Sequence, residues 1–89
     1  MKLNVALTMR ITPRDIDVDL NEIEEKLEDI VSKYGKLHQT EKKPIAFGLS
    51  AVEALILLDD SKGGSDEIEG ELKKLDIVSQ VDITDISLL

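Results

Sequence analysis

The sequence predicts an α+β domain in which four antiparallel strands form one sheet and two helices cover one of its faces. The predicted chain order is βαββαβ. Three observations lead there. Residues 3 to 11 alternate apolar and polar, the period of a half-buried strand. Residues 20 to 34 carry apolar side chains at helical spacing. Residues 45 to 58 and 78 to 88 are strand-like again, separated by a shorter helical stretch.

In the first strand Leu3, Val5, Leu7, Met9 and Ile11 share one side. The segment TPRDIDVD follows as a loop, with Pro13 as its breaker. Asp19 is placed to cap the first helix, because a short acidic side chain can accept from the backbone N–H groups of the first turn. Leu20, Ile23, Leu27, Ile30, Val31 and Tyr34 form its apolar stripe. Glu22, Glu24, Glu25, Glu28 and Asp29 lie off the stripe, as a solvated face does. Gly35 is read as the left-handed residue that closes the helix.

Lys36 to Glu41 reads as a short polar edge strand, with a turn over Lys42–Pro44. The next segment, IAFGLSAVEALILL, is the most apolar of the chain. Val52, Ala54, Ile56 and Leu58 fall on one side of it. Ala51, Glu53, Leu55 and Leu57 fall on the other, where Glu53 requires access to water. DDSKGG makes a turn, and Ser65 is placed to cap a second helix with the stripe Ile68, Leu72 and Leu75. Asp66 and Glu67 sit in its first turn, where the helix dipole favours anions. Gly70 weakens this helix by about 1 kcal/mol relative to Ala. In the last strand Val81 and Ile83 are out of phase with Ile86 and Leu88, so a bulge near Thr84 or Asp85 is needed to return them to one face. Right-handed crossovers then give the ferredoxin-like arrangement.

Composition narrows the function classes. The 89 residues make a single domain, 1–89. Only 2% are aromatic, so the core is aliphatic. The absence of cysteine excludes disulfides and thiolate metal sites and fits the cytoplasm. No apolar run reaches the roughly 20 residues of a membrane span, so no membrane association is expected. A net charge of -8 repels phosphate backbones, and direct nucleic-acid binding is not expected. The predicted open sheet face, with Ala6, Thr8, Glu53, Leu55 and Asp82, has no aromatic interleaved with basic residues.

Catalytic groups are scarce. His38 is the single histidine, and on a polar edge strand it has neither an orienting partner nor a pocket. There is no phosphate-binding loop and no nucleophile elbow. Asp15, Asp17 and Asp19 resemble the start of a calcium loop, but Leu20 stands where that loop needs glycine, and the triplet serves better as the opening of a helix. No enzyme activity, cofactor or metal is expected.

One feature is unusual. The only Phe of the chain, Phe47, lies between Pro44 and Gly48, beside a turn. It either caps one end of its own aliphatic core or is displayed for burial by a partner, and the two are not exclusive.

The stretch KKPIAFGLSAVEALILLDDSKGGSDEIEGEL resembles the guanine-nucleotide exchange domain of the beta subunit of translation elongation factor 1, in its archaeal form. PIAFGL is its most specific part. GGSDE and the ending VSQVDITDISLL also fit. The resemblance implies a protein that docks on the elongation factor 1-alpha GTPase and exchanges GDP for GTP without bond chemistry of its own. It implies that Phe47, within Pro44-Ile45-Ala46-Phe47-Gly48, enters a hydrophobic pocket of the GTPase. Eukaryotic members carry a lysine next to the C-terminus that disturbs magnesium coordination, and Leu88 stands at the matching position here. Leucine cannot replace a cation, so that part of the family mechanism is not carried over. Lys2 is another possible source of a cation, because the first strand starts where the last one finishes. The protein is expected to be monomeric on its own. The competing reading is a ferredoxin-like small-molecule-sensing or self-assembling module, resting on Leu55 and Leu57 on the side away from the helices.

Overall fold

A computed structural model describes residues 2–61 and 63–89. Met1, and Lys62 within the predicted DDSKGG turn, lie outside them. Along the chain come β1 (Val5–Pro13), α1 (Leu20–Val31), β2 (Gly35–Ala46), β3 (Leu49–Leu58), α2 (Ser65–Lys73) and β4 (Val78–Leu88). The strands form one antiparallel sheet in the order β2-β3-β1-β4, so both crossovers skip a position and the ferredoxin-like plan holds.

The core lies between one sheet face and the two helices. Leu7, Met9 and Ile11 of β1 pair directly with Ile56, Ala54 and Val52 of β3, and all six are buried. Ile23, Leu27, Ile30 and Val31 from α1, with Ile68 and Leu72 from α2, close over them. Each such side chain contributes about 1.5–3 kcal/mol by leaving water. Asp19 caps α1 as expected, its Oδ1 accepting from the Asn21 N–H at 2.9 Å.

The opposite face is open. Arg10 stands directly across from Glu53 on one side and Asp82 on the other, and its Nη2 meets Glu53 Oε2 at 3.0 Å. Ala6, Thr8, Leu55 and Leu57 share this face, and Leu55 and Leu57 are half-buried there. Both aromatic residues of the chain lie elsewhere, Tyr34 in the turn before β2 and Phe47 in the turn after it.

The predicted bulge is present in β4. Thr8 pairs with Asp85 but Met9 pairs with Ile83, which leaves Thr84 as the extra residue. It does what the phase mismatch required: Ile83, Ile86 and Leu88 now pair with Met9, Leu7 and Val5 on the helix-covered side. Ile86 and Leu88 nevertheless stay exposed.

Three expectations are corrected. Gly35 does not close α1. The helix stops at Val31 with Ser32 as right-handed cap, and Gly35 begins β2. What requires glycine there is space, because a Cβ would collide with the Leu57 carbonyl oxygen. Ser65 does not cap α2. Gly64 takes that position at φ +117° with no side-chain bond, and a Cβ on it would run into the Tyr34 side chain, its Cβ first. The third correction bears on function. There is no turn at Lys42–Pro44. β2 runs through it to Ala46 and pairs with β3 as far as Ala46 opposite Leu49. A proline is tolerated there because β2 is an edge strand, so its missing N–H removes no ladder bond from the interior of the sheet.

Candidate partner-binding surface

With β2 extended, the β2–β3 connection shrinks to two residues, Phe47 and Gly48. Their φ angles are +52° and +79°. Two consecutive left-handed residues make the mirror-image turn whose twist suits a hairpin. Asn-Gly is the usual occupant, because asparagine tolerates this region and a bulky aromatic does not. Phe47 is the one non-glycine residue with positive φ among the described residues. It is fully exposed, at 102% of its reference accessibility.

The chain therefore carries its only Phe where neither hydration nor backbone geometry favours it. Exposing a ring of this size forgoes about 1.5–3 kcal/mol of burial. The left-handed backbone adds of order 1–2 kcal/mol. Of the two readings left open by the sequence, Phe47 as a cap on its own core is excluded by its exposure. Ile45 lies two residues before Phe47. Its neighbours Pro44 and Ala46 pair with Ser50 and Leu49, which leaves Ile45 as a bulge, 40% exposed. Pro44 restricts the backbone just before it.

The hairpin also projects. The β1–β3 ladder stops at Ile11 opposite Val52, whereas β2 and β3 continue pairing to the tip. At the other end of the sheet Leu58, Val5 and Leu88 lie side by side. Ten residues of β3 separate the two ends, about 33 Å at 3.3 Å per residue, within a molecule 39 Å long. Phe47 and Leu88 are thus not brought together. Leu88 is 76% exposed and neighbours Leu89, whose N–H donates to the Asn4 carbonyl. Lys2 is at this end too, its backbone N–H donating to Asp59 Oδ2 at 3.2 Å.

The remaining candidates have local roles. Asp15 Oδ1 accepts from the Asp17 N–H at 2.9 Å, and Asp19 Oδ1 is used as the helix cap. These bonds hold the β1–α1 loop and set the start of α1, the helix-opening role read from the sequence. His38 is exposed at a second bulge of β2, between Leu37 opposite Ile56 and Gln39 opposite Leu55. Among the described residues, no group of three or more His, Cys, Asp or Glu is arranged to hold a metal ion. No helix of the described residues is long and apolar enough to cross a membrane.

A family model described as the EF-1 guanine nucleotide exchange domain matches residues 6–89. The chain belongs to this family. Membership makes the EF-1 exchange domain described here a guanine nucleotide exchange factor of translation elongation. It is 36% identical over 86 residues to an elongation factor 1-beta of Archaeoglobus fulgidus, covering 97% of this chain and 98% of the relative. Its identity to the elongation factor 1-beta of Methanocella arvoryzae is 38% over 80 residues, 90% of each chain. To that of Methanothermobacter thermautotrophicus it is 30% over 86 residues, 97% of each. The exchange-domain match sets aside the reading as a small-molecule-sensing module.

The sequence reading named Phe47, Pro44, Ile45 and Gly48 but could not place them. It set the turn at Lys42–Pro44, several residues ahead of Phe47–Gly48, because Pro44 is the stronger local signal. The signal that would have found it is Gly48 itself, the one residue of the segment made for positive φ.

Proposed function

We propose that this protein docks on the elongation factor 1-alpha GTPase in the cytoplasm through the tip of the β2–β3 hairpin, with the Phe47 ring buried in an apolar pocket of the partner, and thereby speeds GDP release so that GTP can reload. The observation that carries this reading is a fully exposed aromatic held in a left-handed backbone at the apex of a two-residue turn. An aromatic anchor of this kind is a usual hot spot. The short turn fixes the ring before contact, so little conformational freedom is lost on docking. Pro44, Ile45 and Gly48 hold the tip in shape. Gly48 allows the second left-handed position, and nothing lies within 4 Å of where its Cβ would stand, so the partner can approach the backbone closely.

Exchange needs no bond to form or break. It requires the factor to bind the nucleotide-free GTPase better than the loaded one. A tenfold drop in nucleotide affinity corresponds to about 1.4 kcal/mol of such preference. Leu88, at the far end, supplies no charge to this preference. The exchange factor therefore draws it from the surface around Phe47.

The test is release of fluorescent GDP from an archaeal-type GTPase. Wild-type factor should accelerate it, and Phe47→Ala should remove most of the acceleration with thermal stability unchanged or raised. A Phe47→Ala variant that exchanges normally would sink the proposed role.

A further inference from the structure

Six large apolar residues are well exposed among the described residues, and they sort into two groups. Ile86, Leu88 and Leu89 lie at the end of the sheet where Leu89 bonds to Asn4. Ile16, Ile45 and Phe47 lie at the hairpin end. Ile16 is the surprise of the second group. It belongs to the β1–α1 loop, far from the hairpin in sequence, and lies outside the stretches PIAFGL, GGSDE and VSQVDITDISLL.

We propose that Ile16 is a second docking point for the same GTPase, and that the β1–α1 loop and the hairpin tip form one bipartite surface that the partner covers. The inference rests on the reading of Phe47 above. Three observations carry it. The first is display. Asp15 Oδ1 accepts from the Asp17 N–H, which makes Ile16 the middle residue of an Asx turn and holds it outward, 66% exposed. A second bond, from the Val18 N–H to the Asp15 carbonyl, closes the same turn at 3.4 Å. Both protruding turns thus carry a large apolar residue at the apex, where a turn ordinarily carries a polar one.

The second observation is adjacency. A cleft of about 200 Å³ lies between the two turns. Pro13, Asp15, Ile16, Val18 and Leu20 line it from the loop, and Gly48, Leu49 and Ser50 from the hairpin. The third is continuity. The cleft shares Gly48 with the turn that presents Phe47, so a partner covering the ring also covers the cleft. A single ring is a small footprint for a specific complex, whereas hot-spot residues work inside a rim that excludes water. Ile16 and the cleft supply that rim.

The Ile16 side chain is mostly in water in the free protein, so replacing it tests docking with little effect on folding. Labelled GDP release is followed while the factor is titrated against the GTPase, with Phe47→Ala run in parallel and thermal unfolding of each variant recorded. Ile16→Ser is expected to raise the half-saturating concentration about five- to tenfold with the maximal release rate unchanged, and Ile16→Leu to restore it. Wild-type half-saturation for Ile16→Ser, with Phe47→Ala impaired, overturns the role of Ile16 and leaves the hairpin reading intact. Wild-type behaviour of both variants overturns both. Sedimentation of the factor alone completes the test. A dimer that Ile16→Ser dissociates would mean that a second copy, not the GTPase, covers this end, and would overturn the inference.

Discussion

Glu71 shows how much a single side chain does in a domain this small. From α2 its Oε1 accepts from Lys33 Nζ at 2.8 Å and its Oε2 from the Tyr34 hydroxyl at 3.2 Å. It therefore ties the end of α1 to α2, across a place where the two helices have no other polar link among the bonds of the described side chains. The Lys33 ammonium, followed by the Tyr34 hydroxyl, holds the Glu71 carboxyl below its ordinary range. The sign follows from that direction. A carboxyl depressed in the folded state stabilises fully above its ordinary pKa, and the contribution is lost as pH falls through that value toward the lower, folded one. Lys33 is raised by the same partner, so on the alkaline side its contribution fades as pH climbs past the ordinary lysine range. Glu71→Gln is accordingly expected to lower the melting temperature at neutral pH, with the gap to wild type closing as the solution is acidified below the carboxylate range. Parallel melting curves over that range decide it, and a gap that persists in acid would mean the bonds act without the charge. At this scale the sequence was partly legible. Tyr34 was read as the last residue of the α1 stripe, and its ring does pack against the core, although the helix has already ended. The demand on Gly35 and Gly64 was hidden, because each is set by an atom distant in the chain, the Leu57 carbonyl for one and the Tyr34 side chain for the other.

Among the elements, the hairpin is where local chemistry and function pull apart. An Asn-Gly turn would satisfy the backbone at no cost, and the chain has Phe-Gly. Phe47→Asn is therefore expected to stabilise the protein by about 1 kcal/mol, a rise of roughly 4–8 °C in melting temperature for a domain of this size, while exchange activity falls as it does for Phe47→Ala. A stabilised variant with full activity would contradict the functional cost assigned to the turn. The same element explains what sequence reading could and could not reach. Periodicity gave β1, the α1 stripe and the inward side of β3, because each has one face in the core and the register is pinned by burial. β2 has no such face over its second half, where residues 41 to 46 are all exposed. With no buried side to fix the phase, only Pro44 and Gly48 were left as signals, and an edge strand can carry a proline through. The Thr84 bulge was legible for the opposite reason. Val81, Ile83, Ile86 and Leu88 could not share a side in a regular strand, and the pairing with β1 shows where the extra residue was placed.

Across the whole molecule the two exposed apolar groups are about 33 Å apart along β3, with a rigid sheet between them. Substitutions so far apart, with no shared partner, are expected to act independently. Leu88→Lys should raise the maximal rate of GDP release by restoring a cation at the end where the resemblance calls for one. Combined with Phe47→Ala, the two changes should multiply in the initial slope of release rate against factor concentration, to within about a factor of two. Failure of Leu88→Lys to change the rate, or strong coupling between the sites, would show that the far end does not reach the nucleotide site on its own. The fold-level features were the most legible of all, since strand and helix order with the crossover rule left one sheet arrangement to consider.

The bond from the Leu89 N–H to the Asn4 carbonyl has a practical consequence. It holds Asn4 and Leu89 next to each other, a full sheet length from Phe47. A label, a surface linkage or a fused domain attached at either place would emerge on the side facing away from the hairpin. The protein could be anchored by its tail and still offer its ring to whatever approaches from solution.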